Sequence, residues 1–166
     1  GPDDSGLWQD KENGIFFGHR RLSILDQSEN GKQPMHSRNG RYTLIFNGEI
    51  YNHEELRIEL STYQFVGSSD TETFLACVEV IGLESALKKV HGMFAFALWD
   101  TCDHSLVLAR DRLGEKPLYY YESERGLYFS SEPAPLIENL KLEFQPTVQE
   151  VSEFLLFGFF LGGKTG

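Results

Sequence analysis

The chain has 166 residues, 40% of them apolar and 13 of them Phe, so it can bury a core, and it carries a net charge of −10. An acidic surface without concentrated Lys and Arg does not suit nucleic acid, whose phosphates need such charge to be neutralised. The longest apolar run, Phe154 to Leu161, is broken by Gly158 and falls far short of a bilayer span.

No basic start followed by an apolar stretch suggests a signal peptide. Cys77 and Cys102 are too few for a disulfide framework, show no metal-ligand spacing and read as reduced thiols. The expectation is a cytoplasmic protein of one domain, or one domain and the start of another, with no membrane or nucleic-acid partner.

In chain order, Ile15 to His19 reads as a strand and Gln27 to Gly40 as a polar loop. Arg41 to Phe46 alternates Tyr42, Leu44 and Phe46 against Thr43 and Ile45, a strand buried on both faces. Asn52 and Glu55 have capping-box spacing before a helix that runs to about Leu60. Ser69 and Glu72 repeat the signature before a second helix with the stripe Phe74, Leu75, Val78, Ile81. Four strands follow: Met93 to Trp99, Ser105 to Arg110, Leu118 to Tyr121 and Gly126 to Ser130. Their short polar turns, Asp100 to Asp103 and Glu122 to Arg125, imply antiparallel pairing. A short helix around Pro135 to Leu140 and another from about Val148 to Phe157 close the chain. Helices grouped apart from the strands make this an α+β fold, not a doubly wound one.

Several motifs stand in a telling order: Gly1-Pro2-Asp3-Asp4-Ser5-Gly6, Gly18-His19-Arg20-Arg21-Leu22-Ser23-Ile24, Asn47-Gly48-Glu49-Ile50-Tyr51-Asn52, Ser69-Asp70-Thr71-Glu72 and Arg110-Asp111-Arg112-Leu113-Gly114-Glu115-Lys116-Pro117-Leu118. Together they resemble the glutamine-hydrolysing, class II amidotransferase domain of asparagine synthetases, an N-terminal-nucleophile hydrolase. The resemblance implies a four-layer αββα sandwich of two antiparallel sheets, with the first strand of that sandwich missing here.

By the same resemblance, Arg21 clamps the carboxylate of glutamine and Asp70 pairs with its ammonium. Planar bidentate donation makes Arg suited to the first task. The side-chain amide of Asn47 and the backbone N–H of Gly48 form the oxyanion hole. Leu22 and Ile24 line the glutamine slot with backbone, and Glu49 sits beside it. Each residue also has a plain reading. Arg21 could be a surface residue on a strand end, beside an Arg20 that points to the opposite face. Asn47-Gly48 is also a strong hairpin-turn signal, and Asp70 a first-turn carboxylate favoured by the helix dipole.

The family's nucleophile is a terminal cysteine, which this chain lacks. Cys77 reads as a core thiol and Cys102 as a turn residue, so the chain is expected not to turn over. Arg110-Asp111-Arg112 with Lys116 reads as structural bracing around a turn set by Gly114 and Pro117. Ser130-Ser131-Glu132 reads as a helix cap. The segment from Phe154 to Lys164 resembles the family's connector, giving an amidotransferase domain over 1–146 and a connector over 147–166 toward an absent synthetase domain. That domain would bind ATP and Mg and use the ammonia to amidate aspartate. No cofactor and no metal are expected in this domain. Exposed connector residues predict self-association, and a homodimer is admitted. Two other readings stay open: an amidotransferase of the same class with another acceptor, and a non-catalytic glutamine-binding module.

Overall fold

The structure, a computed structural model, describes residues 4–21, 31–143 and 147–157, without the side chains of 4, 21, 150, 153, 154 and 157. The chain divides into two compact units, residues 1–118 and 119–166. It is α+β, and every described strand pair is antiparallel.

In the first unit, β1 (Asp4–Asp10) and β2 (Ile15–Arg21) form a hairpin. A four-stranded sheet follows in the order β3 (Met35–His36), β4 (Tyr42–Ile50), β5 (Gly92–Asp100) and β6 (Ser105–Arg110). Three helices separate β4 from β5: α1 (His53–Glu59), α2 (Asp70–Ile81) and α3 (Leu83–Lys89). In β4, Leu44, Phe46 and Ile50 share one face, as period-2 geometry requires. That face packs with Phe94, Phe96 and Leu98 of β5 against Leu56, Phe74, Leu75 and Val78 of the helices. Phe74 is fully buried, with ring centroids 5.7 Å from Phe46 and 5.1 Å from Phe96. Burying one such side chain is worth roughly 1.5–3 kcal/mol.

In the second unit, β7 (Tyr119–Ser123) and β8 (Gly126–Ser130) form a hairpin followed by α4 (Pro133–Leu140) and α5 (Val148–Phe157). Leu155 and Leu156 are exposed; residues 158–166 lie outside the described set.

Four local readings need correction. The stretch read as a polar loop contains β3. Asn52 does not cap α1 with its side chain. It donates instead to the Lys89 carbonyl at 3.0 Å and accepts from the His91 N–H at 2.9 Å, tying the β4–α1 corner to the α3–β5 corner. Asn47-Gly48 is not a turn, because both residues lie inside β4 opposite Ala95 and Phe94. Before α4 the N-cap is Glu132, with no side-chain cap and Pro133 in the first turn, where its missing N–H costs nothing; Ser130 Oγ accepts the Glu132 N–H instead. The Ser69 cap is formed, with Oγ accepting from the Glu72 N–H at 3.2 Å.

Candidate active site

Asn47, Gly48 and Glu49 are consecutive on β4, and the buried Asp70 reaches the same strand end. Arg21 ends β2 opposite Asp4, and its side chain lies outside the described residues, as do Leu22 and Ile24 entirely. The neighbouring Arg20 is exposed.

The backbone of β4 faces two ways. In an antiparallel ladder, alternate residues direct both N–H and C=O toward the same neighbour. Tyr42, Phe46 and Ile50 all direct theirs away from β5: Tyr42 O accepts from Ser37 N, Phe46 N donates to Gln33 Oε1, and Ile50 N donates to Asp70 Oδ2. Gly48 shares that parity. Its N–H therefore faces the same edge, between two neighbours that are both satisfied, and it has no partner among the described residues. Asn47 is exposed on the adjacent face, and no partner for its amide is described either.

The flanking donors are anchored by side chains. Gln33 behaves as a one-residue strand: its amide accepts from Phe46 N at 2.6 Å and donates to Phe46 O at 3.0 Å. His19 Nε2 lies 3.2 Å from the same carbonyl. Asp70 accepts from Ile50 N at 2.8 Å and from its own helix's Thr71 N at 2.9 Å. Its carboxylate therefore joins the start of α2 to the end of β4.

The loop that delivers Asp70 is held by Arg57. Its guanidinium donates to Gly67 O and Ser69 O, each at 3.0 Å, to Thr73 Oγ1 at 2.7 Å and to Glu72 Oε2 at 3.1 Å, and it stacks over the Phe65 ring. Glu72 in turn accepts from Val66 N and Gly67 N, so it closes the loop rather than returning to Ser69 as a capping box would.

On the other side, Gly48 lies against β5 without room for a side chain. A Cβ there would sit 2.1 Å from Met93 O and 2.6 Å from Phe94 Cα. Phe94 is held in place by Asp111: its O accepts from Asp111 N at 2.7 Å, and its N donates to Asp111 Oδ2 at 3.2 Å. The same carboxylate takes Leu113 N, Glu115 N and Lys116 N at 3.0 Å each. Bracing was the expected role of this segment, and its carboxylate bonds to the turn and to β5 come from Asp111.

Burial works to raise the Asp111 pKa, but the N–H donors of Glu115, Lys116, Phe94 and Leu113 outweigh it and hold it down at about 2, against an ordinary 3.8. A carboxyl more acidic in the folded state contributes its full stability above the unfolded value, and that contribution is lost as pH falls through the folded one. Asp100, lowered chiefly by its hydrogen bonds from Arg41, acts in the same direction. Urea midpoints are expected to fall between about pH 4 and about pH 2, and more gently in Asp111→Asn.

Neither cysteine belongs to this site. Cys77 is buried in α2, and burial pushes its thiol up to about 11, which suits an inert core residue. Cys102 is exposed in the β5–β6 turn, beyond Asp100 at the far end of β5, which lies six residues and on the order of 20 Å from Phe94. Among the described residues no group of three His, Cys, Asp or Glu could hold a metal ion, and no helix is long and apolar enough to cross a membrane.

Three of these positions escaped sequence reasoning. Gln33 stood in an apparent loop, Asp111 in a segment read as bracing without its partner Phe94, and Arg57 on a helix whose partners lie ten or more residues away. Only Asp111 left a signal, in the Gly114 and Pro117 of the turn it organises.

The fold has a counterpart among solved glutamine-using enzymes. The glutamine phosphoribosylpyrophosphate amidotransferase of B. subtilis superposes with a TM-score of 0.60 at 23% identity, over 70% of this chain and 27% of that one, a likeness of fold alone. Residues 1–165 match the model of the family described as glutamine amidotransferase domain. Asparagine synthetase (glutamine-hydrolyzing) 1 of Bacillus subtilis is 48% identical over 139 residues, 82% of this chain and 21% of that protein. Amidase chry2 of Gibberella zeae is 40% identical over 133 residues, 80% of this chain and 20% of that protein. The chain belongs to the class II glutamine amidotransferase domain family and is related to the N-terminal domain of asparagine synthetases. It spans about a fifth of the length of these relatives.

Proposed function

We propose that this domain hydrolyses glutamine to glutamate and ammonia, and that the ammonia serves an ATP-dependent amidation of aspartate in a synthetase domain of the same parent protein. ATP and Mg would be bound there and not here. The observation that carries the reading is the Gly48 N–H, which has no partner among the described residues and lies between two satisfied neighbours, with the exposed Asn47 amide beside it. Two donors so placed can receive the oxygen of a tetrahedral intermediate as its charge develops. Asp70 is the partner for the substrate ammonium and Arg21 for its carboxylate. Leu22 and Ile24 supply backbone to the slot, and Glu49 borders it. The four-layer αββα sandwich and the connector role of 147–166 belong to the same proposal.

Neither cysteine of this chain serves as the nucleophile in this reading, because Cys77 is buried and Cys102 lies in the β5–β6 turn. Glutamate release from glutamine, measured on the full-length parent and on this chain in parallel, tests the assignment. Activity is expected in the parent and not in the chain. Turnover by the chain itself would overturn the nucleophile argument, and absence from both would favour a non-catalytic glutamine-binding domain. A second reading changes only the acceptor: the 40% identity to amidase chry2 shows that close relatives of this domain carry names other than asparagine synthetase.

A further inference from the structure

We propose that Asp111 is a positioning residue of this site: by taking both backbone groups of Phe94 it fixes the strand against which Gly48 lies, and so the aim of the Gly48 N–H. The inference rests on the reading of Gly48 as an oxyanion donor.

The geometry makes the coupling direct. Strand β6 ends at Arg110, so its ladder stops opposite Ala95. One step further, the Asp111 backbone and carboxylate do what a continued strand would do, accepting from Phe94 N and donating to Phe94 O. Phe94 is the residue opposite Gly48. The approach there leaves no Cβ space, with Phe94 Cα and Met93 O as the walls. A strand held this tightly transmits any shift of Phe94 to Gly48, and a donor misplaced by about 1 Å can cost on the order of 10²-fold in rate.

The two carboxylate oxygens divide the work. Oδ1 takes Leu113 N and Glu115 N inside the turn, while Oδ2 takes Phe94 N and Lys116 N. In Asp111→Asn the amide oxygen can keep the turn contacts, and the amide nitrogen cannot accept from Phe94. The carboxylate's bond from Phe94 N is thus lost, while the Asp111 N–H to Phe94 O bond and most of the turn are retained. Asp111→Glu keeps both acceptors but displaces them by one methylene. Gly114→Ala provides the contrast. It strains the same turn at a φ of +68° and leaves the Phe94 contact in place.

The experiment is steady-state glutaminase kinetics on the full-length parent, with melting temperatures for each variant. Asp111→Asn and Asp111→Glu are expected to lower kcat by about 10-fold or more while KM for glutamine changes by less than about 3-fold. Gly114→Ala is expected to lower the melting temperature and keep kcat. Asn47→Ala, run alongside, is expected to lose about 10²–10³ in kcat. If Asn47→Ala loses that rate and both Asp111 variants keep theirs, the positioning role is wrong and the site reading stands. Loss of kcat in Gly114→Ala in step with its stability would also overturn the proposal, as a general loosening of the turn. A full rate in Asn47→Ala would remove the oxyanion reading and this inference with it. Should Asp111→Asn not fold, Asp111→Glu decides alone.

Discussion

Alanine at Gly48 is expected to destabilise the domain by about 3–5 kcal/mol, combining an overpacking cost of about 1–3 kcal/mol with backbone strain of similar size. The new Cβ would collide with Met93 O and Phe94 Cα, which are backbone atoms of a paired strand and cannot rotate aside. The φ of +155° adds a conformation that L residues rarely adopt. Gly40→Ala supplies the control, since Gly40 has a φ of +74° and nothing within 4 Å of an added Cβ. It should show the conformational cost alone, about 1 kcal/mol. Urea denaturation of the 166-residue chain reads both. Equal losses in the two variants would mean that β4 and β5 do not approach as closely as described.

Asparagine at Asp70 is expected to act on substrate affinity. The amide oxygen can still accept from Ile50 N, so β4 and α2 stay joined and the stability loss is small, about 1 kcal/mol. What disappears is the negative charge. Loss of one partner from a desolvated charge pair costs about 2–5 kcal/mol, so KM for glutamine should rise by roughly 10²-fold while kcat at saturation holds. The Asp111 variants predict the reverse split, and the two together separate holding the substrate from aiming the donor. An unchanged KM in Asp70→Asn would assign Asp70 to the strand–helix joint and nothing more.

What the sequence disclosed and what it hid divide along physical lines. Strands β4, β5 and β6 and the stripe of α2 were legible because burial imposes its period on Tyr42 to Phe46 and on Phe74, Leu75 and Val78, whereas the two-residue β3 was not. The Ser69 cap was legible because the interaction spans three residues. Asn52 carried the same local signature and did something else, since two backbone groups at Lys89 and His91 compete for its amide. Nothing near Asn52 in the chain reveals that competition. Asn47, Gly48 and Asp70, the residues of the proposed site, stand in motifs, but the partners of the groups that hold them could not be read from the sequence. Gln33, Arg57 and Asp111 act on backbone atoms 13, 10–12 and 17 residues away. Backbone acceptors leave no trace in side-chain identity. Helix α3 and strand β1 were missed for a simpler reason, as short elements with weak apolar periods.

The Gln33 clamp on Phe46 also decides what sort of molecule can dock beside it. An uncovered strand edge ordinarily invites another extended chain, which bonds to every second residue along it. Here side chains occupy the backbone of Phe46 on one side of Gly48 and the N–H of Ile50 on the other. Among the described residues, a peptide laid along this margin would find a single open rung, too few to zip onto. A lone carbonyl at the tip of a small molecule needs no more than one. Among the described residues, one amide and one carboxylate thus leave room for a single carbonyl and not for a second strand.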